Sequence, residues 1–366
     1  FKMPQVWRSN LNVDIQLPYD FMLSVGAMYT RDIYNVAQIN MNEAEPTGVY
    51  NEQPDRIYWA SKKYEYNDYT NGKNVVVKLS NGEDKGYQYS FNAILTKKYD
   101  FGFTGSIGYT YTMAKDLTAN PGSAPNSAWQ NNVAVNSLND PGVSYSLFST
   151  PHRIIANASY EINYAKCLKT TFSLFYSGYH TGRYSYTYYN DMNGDGNYSD
   201  LIYVPNSQDE MTFVDITDKS GAITYSAVDQ AKDFWDFVNN DSYLKDRKGK
   251  YVERNGSLTP WINRFDFKIA QDFYATLGGR KYGIQVSLDM LNVGNMINSK
   301  WGAYQSCGLK SYDNVQLLKT ASKVGEPLTY QINANSREAF KERSSWQYTN
   351  TIGSAWSMQL GVKVTF

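Results

Sequence analysis

Two cysteines, Cys167 and Cys307, and two histidines, His152 and His180, are all that 366 residues hold of these types. So few cysteines build no disulfide framework, and no C-x-x-C spacing suits zinc or an iron–sulfur centre. Neither histidine has a serine, cysteine or carboxylate partner in a recognisable nucleophile motif, so the chain reads as a non-enzyme. Phosphate-cradling motifs of the G-x-x-x-x-G-K-[ST] or post-strand G-x-G-x-x-G type do not occur. Charge of one sign is also missing: 35 basic residues balance 35 acidic ones, and no basic stripe is present. Nucleic acid is thereby excluded as a partner. No apolar stretch approaches the ~18 residues of a membrane helix, and mean hydropathy is -0.55. No signal peptide opens the chain at Phe1, so the sequence reads as mature or as a fragment.

Aromatic residues are what the chain has in excess, at 16% with 33 tyrosines. The last eleven residues show how they are used. Trp356, Met358, Leu360, Val362, Val364 and Phe366 fall on one face of a period-two strand, and Ser357, Gln359, Gly361, Lys363 and Thr365 on the other. An aromatic at each end suits the two interfaces of a membrane. A transmembrane barrel tolerates low hydropathy, because every second residue faces a wet lumen.

The same alternation recurs eight times upstream. Leu11 to Leu17 and Phe21 to Thr30 form a hairpin around Pro18-Tyr19-Asp20, and Tyr89 to Thr96 and Phe101 to Thr112 turn at Lys97 to Asp100. Arg153 to Ile162 leads through Tyr164 to Lys169 into Phe172 to Tyr176. Arg264 to Phe273 leads through Thr276 to Lys281 into Tyr282 to Met290. Long polar connections separate the hairpins at about 42–85, 114–150, 190–258 and 295–350. Within the third, Ala231, Phe234, Trp235 and Val238 recur at helical spacing and predict a short helix over Ala227 to Asn240.

Short and long connections thus alternate along the whole chain. In transmembrane barrels the short turns face the periplasm and the long loops face outward. Nine strands end in the periplasm at Phe366, but nine cannot close on themselves in antiparallel order, and unpaired edges are not viable in hydrocarbon. The expected fold class is an all-β membrane protein: the chain is one part, 1–366, of a larger antiparallel transmembrane β-barrel. Cys167 in a short turn and Cys307 in a long loop should stand at opposite ends of a ~25 Å apolar band, beyond disulfide reach.

Several runs resemble one family. They are Ser149-Thr150-Pro151-His152-Arg153, Asp191-Met192-Asn193-Gly194-Asp195-Gly196-Asn197, Leu201-Ile202-Tyr203-Val204-Pro205, the stretch Arg247 to Asp272 with its Glu253-Arg254-Asn255-Gly256, and Leu288 to Asn298. Together they resemble the carboxyl-terminal barrel of TonB-dependent outer-membrane receptors, specifically the Oar-like, OmpA-related branch. The SusC-like glycan transporters share that architecture but match these motifs less well. The resemblance implies the last nine strands of a plugged twenty-two-strand barrel in a Gram-negative outer membrane. Its long extracellular loops would bind a peptide, protein or glycan. It implies as partners outer-membrane lipid, the remaining strands and plug domain, the TonB complex through an amino-terminal part outside this sequence, a surface lipoprotein, and the barrel-assembly machinery acting on Phe366. The competing functions are a surface adhesin or structural receptor without transport, and a passive porin.

One metal site is expected. Asp191, Asn193 and Asp195 offer side-chain oxygens at alternate positions, Asn197 its backbone carbonyl, and Gly196 the sharp turn that a calcium loop needs. Position twelve counted from Asp191 is Ile202 instead of Glu, so Asp200 is the expected substitute; the bland alternative is an ordinary Asx- and Gly-rich turn. No catalytic or organic-cofactor residues are assigned. His152 and His180 read as hydrogen-bonded rim residues, and Glu253 with Arg254 as holding the loop by a local ion pair in preference to touching ligand. The charges Asp14, Glu161, Asp266, Lys268, Asp272, Asp289 and Lys363 read as lumen-facing, against a plug or water. Trp59, Trp129, Trp235, Trp301 and Trp346 read as loop-packing aromatics in preference to a ligand surface.

Overall fold

In the computed structural model the chain is described over residues 1–67, 74–307, 310–311, 314–333, 340, 346–349 and 351–366. It is an all-β protein dominated by one antiparallel sheet. Nine long strands pair in chain order: β1 (Gln5–Leu17), β2 (Phe21–Tyr34), β3 (Tyr87–Lys98), β4 (Phe103–Asp116), β5 (His152–Tyr164), β6 (Leu168–His180), β7 (Trp261–Leu277), β8 (Arg280–Leu291) and β9 (Ser357–Thr365). A short strand, Ser144–Tyr145, pairs with the end of β4. Among the described residues no pairing joins β1 to β9, so the sheet is open.

Most strands run beyond the alternation, β1 beginning at Gln5, β2 ending at Tyr34 and β7 spanning Trp261–Leu277, while β4 begins later than expected. Phe101 and Gly102 belong to the turn before β4, where Gly102 takes φ +98° and the Tyr99 amide closes onto the Phe103 carbonyl. Strand β6 runs well past Phe172 to Tyr176 at both ends, because Lys169, Thr170 and Thr171 sustain pairing although they carry no apolar alternation.

Register makes the two faces chemically distinct. Ile15, Leu23, Leu95, Ile107, Ala156, Tyr176 and Phe265 stand opposite one another across seven strands. Phe172, Ile269, Leu288 and Leu360 continue that face to β9. On the reverse face Lys169, Asp272, Gln285 and Lys363 align in the same way. Pairing leaves the apolar face uncovered: Leu360 is 73% exposed and Val362 66%.

The buried core lies elsewhere, in the long connections. The strand Arg183–Tyr188, buried at all six positions, pairs in parallel with Asn314–Thr320 and antiparallel with Ser257–Leu258. Thr329–Ile332 and Thr212–Phe213 extend this sheet, and Lys310–Ser311 completes its six strands. Against it packs the helix Ala227–Asn240, whose bounds agree with the sequence pattern. Ser226 Oγ caps it by accepting from the Asp229 amide at 3.1 Å, worth about 1 kcal/mol. Phe234, Phe237 and Val238 face the core with Tyr186, Val315, Leu317 and Ile332. The connections expected to be polar loops are therefore folded units. Their apolar residues come as short runs, such as Leu201-Ile202 and Leu317-Leu318, that join one core across long separations.

Candidate functional site

The segment Asp191 to Asp200 leaves the strand Arg183–Tyr188 and turns sharply. Gly194 and Gly196 hold φ +82° and +96°, a region glycine enters without strain. A Cβ on Gly196 would also lie 2.7 Å from the Tyr64 hydroxyl, so the turn is pressed onto the first long connection. The Asp191 carboxylate accepts from the Gly194 amide at 2.8 Å and the Gly196 amide at 2.9 Å. Asn193 Oδ1 accepts from the Asp195 amide at 3.0 Å, and Asp195 Oδ1 from the Asn197 amide at 2.7 Å. These are nested Asx turns.

Asp200 returns the chain to this loop. Its Oδ2 accepts from the Met192 amide at 3.0 Å, and its Oδ1 lies 3.5 Å from Arg56 Nη1. All five expected ligand residues are thus gathered in one turn, four of them buried: Asn193, Asp195, Asn197 and Asp200. Burial, then the neighbouring Asp200 and Asp191, pushes the Asp195 carboxyl well above its usual range. Burial raises Asp200 to about 7 despite Arg56 beside it, with Asp191 adding to the shift. Burial likewise raises Asp191, although the Gly196 and Gly194 amides oppose it.

Residues outside the motif complete the surroundings. Glu43 Oε2 accepts from Ser137 Oγ at 2.6 Å and Asn139 Nδ2 at 2.9 Å, while its buried Oε1 has no hydrogen-bond partner. Its charge adds to the elevation of Asp195. Arg56, with no exposed surface, donates to the carbonyls of Val135 and Leu201 and stacks over Tyr251 at 4.8 Å. Sequence reading missed Glu43, Arg56 and Tyr64, which lie more than a hundred residues away and carry no local signal.

The turn gathers oxygen donors whose carboxylates are raised by burial and mutual repulsion, with one buried guanidinium to offset them. Among the described residues no group of three or more His, Cys, Asp or Glu side chains stands in a ready metal-binding arrangement. Both oxygens of Asp191 and one of Asp195 face backbone amides instead.

The other expected residues fall as follows. Glu253 and Arg254 do not pair with each other. Glu253 meets Arg247 at 3.3 Å and Lys115 at 4.0 Å, while Arg254 meets Asp116 at 3.6 Å and donates to the Leu117 carbonyl at 2.6 Å and the Gly142 carbonyl at 3.1 Å. Arg254 thus pins the third long connection to the end of β4 and to the second connection. His152 Nδ1 meets the Tyr109 hydroxyl at 2.7 Å, and His180 Nδ1 meets the Thr259 carbonyl at 2.6 Å. Cys167 is exposed and Cys307 buried, and they are not bonded to each other. Trp59 and Trp129 are buried, Trp235 and Trp346 pack against the core, and Trp301 is half exposed.

The polar face of the sheet is largely self-paired. Lys268 meets Asp289 at 2.8 Å, Lys169 lies 3.5 Å from Glu161 and 3.7 Å from Asp272, Arg264 meets Asp266 at 3.2 Å, and Asp14 accepts from Ser24 Oγ at 2.5 Å. No family model matches the chain, and neither does a curated protein or a solved structure.

Proposed function

We propose that this chain is the carboxyl-terminal nine-strand sector of a plugged outer-membrane barrel, a TonB-dependent receptor of the Oar-like kind, whose long connections form an extracellular ligand-capturing cap. One observation carries the reading: the apolar face of the nine-strand sheet is continuous and uncovered, while the buried core sits in the connections. In water so extended an apolar face drives association. In hydrocarbon it is the stable surface, and the backbone bonds of the sheet satisfy the amides there. The two open edges, on β1 and β9, then call for further strands of the same barrel.

The Asp191 to Asp200 turn takes calcium in this reading. Asp191, Asn193, Asp195 and Asp200 supply side-chain oxygens and Asn197 its carbonyl, and the bound charge offsets carboxylates that burial otherwise forces toward protonation. The ion's task is structural, ordering the cap.

Thiol labelling in intact cells tests the membrane placement. A membrane-impermeant maleimide should leave Cys167 unlabelled until the outer membrane is permeabilised, and should label Ser220→Cys, on an exposed turn of the third connection, from outside. Labelling of Cys167 in intact cells, or equal reaction at both positions, overturns the reading. An adhesin would bind through the same cap, so loss of ligand uptake on collapse of the inner-membrane energy source separates transport from adhesion.

A further inference from the structure

The long connections hold a cleft of about 660 Å³ bordered by the Asp191 to Asp200 turn, within the ≈ 300–1,000 Å³ range of ligand sites. Its described lining is polar and uncharged. Gln130, Asn131, Asn197, Tyr198, Tyr189 and Asn314 are among its lining residues, and among the described residues no Asp, Glu, Lys or Arg lines it. We infer that it binds a neutral carbohydrate chain. The inference rests on the proposal that the long connections capture ligand, and it names the ligand class.

Three observations carry it. Asn131 and Asn314 bring half-buried carboxamides to the lining. A carboxamide pairs with a sugar hydroxyl through either end, since the hydroxyl both donates and accepts. Tyr198 and Tyr189 are 66% and 46% exposed, leaving ring faces on which the C–H face of a pyranose can stack, with phenol hydroxyls at the rim. Finally, the described lining offers no charge with which to hold phosphate, carboxylate or ammonium groups.

An extended peptide fits less well. Strand Asn314–Thr320, at one wall, is paired to Arg183–Tyr188 on one side and to Lys310–Ser311 and Thr329–Ile332 on the other, which leaves no edge for strand addition. The lining also holds no aliphatic side chain to form a pocket for peptide residues. The turn that places Asn197 and Tyr198 is the one assigned to calcium, so the cation would set the shape of this wall.

The test is isothermal titration of the full chain, in a detergent without a sugar headgroup and with calcium present, against neutral gluco-, xylo-, manno- and chito-oligosaccharides. A tripeptide series and inorganic phosphate serve as comparison probes. Saturable binding by at least one neutral series is expected, weakened tenfold or more by Tyr198→Ala and by Asn314→Ala, with the calcium response of protease sensitivity unchanged in both variants. Binding of peptide or phosphate but no sugar, no sugar binding at millimolar concentration, or sugar binding unaltered in both variants overturns the inference. Thiol labelling reports membrane placement without ligand, so a failed sugar titration beside the expected labelling rejects the carbohydrate alone.

Discussion

Arg56 and Asp200 meet at 3.5 Å with side chains 0% and 2% exposed, although they belong to different long connections. Removing one member of a buried pair strands the other charge, at a cost of about 3–5 kcal/mol. Arg56→Met should therefore destabilise the cap by that amount, seen as a lower denaturant midpoint for the fluorescence of its buried tryptophans. Arg56→Met with Asp200→Leu together should cost less than Arg56→Met alone. Equal midpoints for the parent and Arg56→Met would deny the pair its structural role.

Calcium in the millimolar range should slow proteolysis of the connection between β6 and β7 and raise its melting temperature. Asp191→Ala combined with Asp195→Ala should abolish both responses. A parent protein indifferent to calcium would make the segment an ordinary Asx-Gly turn.

Phe366→Ala should lower the amount of assembled, heat-modifiable barrel more than it lowers ligand affinity per assembled molecule. The residue is 94% exposed, so its loss removes no packing within this chain, and the effect would arise in assembly. Unchanged barrel levels in the variant would rule out that role.

The cap should lose stability in strong alkali through its tyrosines. Burial pushes Tyr184, Tyr243 and Tyr251 up to about 12, against about 10 in the unfolded chain. The folded state holds these protons where the unfolded state has released them. Their stabilising contribution is thus complete below pH ~10 and is lost as pH rises through about 12. Ultraviolet titration should resolve a late class of phenols whose ionisation coincides with cap unfolding. Titration of every tyrosine near 10 would contradict their burial.

Much of the sheet is legible in the sequence because a strand's two faces are written locally, residue by residue. Leu360, Val362 and Val364 declare one face within five positions, and Gly278-Gly279 with φ of +58° and +79° mark a two-residue turn. The cap is not legible in this way. Tyr186 and Val315 become neighbours in a parallel pair 129 positions apart, and no periodicity announces such a meeting. The Asp191 to Asp200 turn falls between these cases: its Asx and Gly spacing is local, but Glu43 and Arg56 reach it only through tertiary structure. Glu253 and Arg254 show the opposite error, since adjacency in sequence suggested a pairing, yet each meets other partners.

The parallel pairing of Arg183–Tyr188 with Asn314–Thr320 also dictates an order of events. The first strand precedes β7 and the second follows β8, so a central strand of the cap lacks its partner until nearly the whole chain has been synthesised and threaded. Contacts of such long separation form slowly. On the proposed membrane placement, all four connections must cross as unfolded polypeptide before any of this core can consolidate. The cap is then the last unit to mature, and a cell would display it only on barrels whose insertion is already complete.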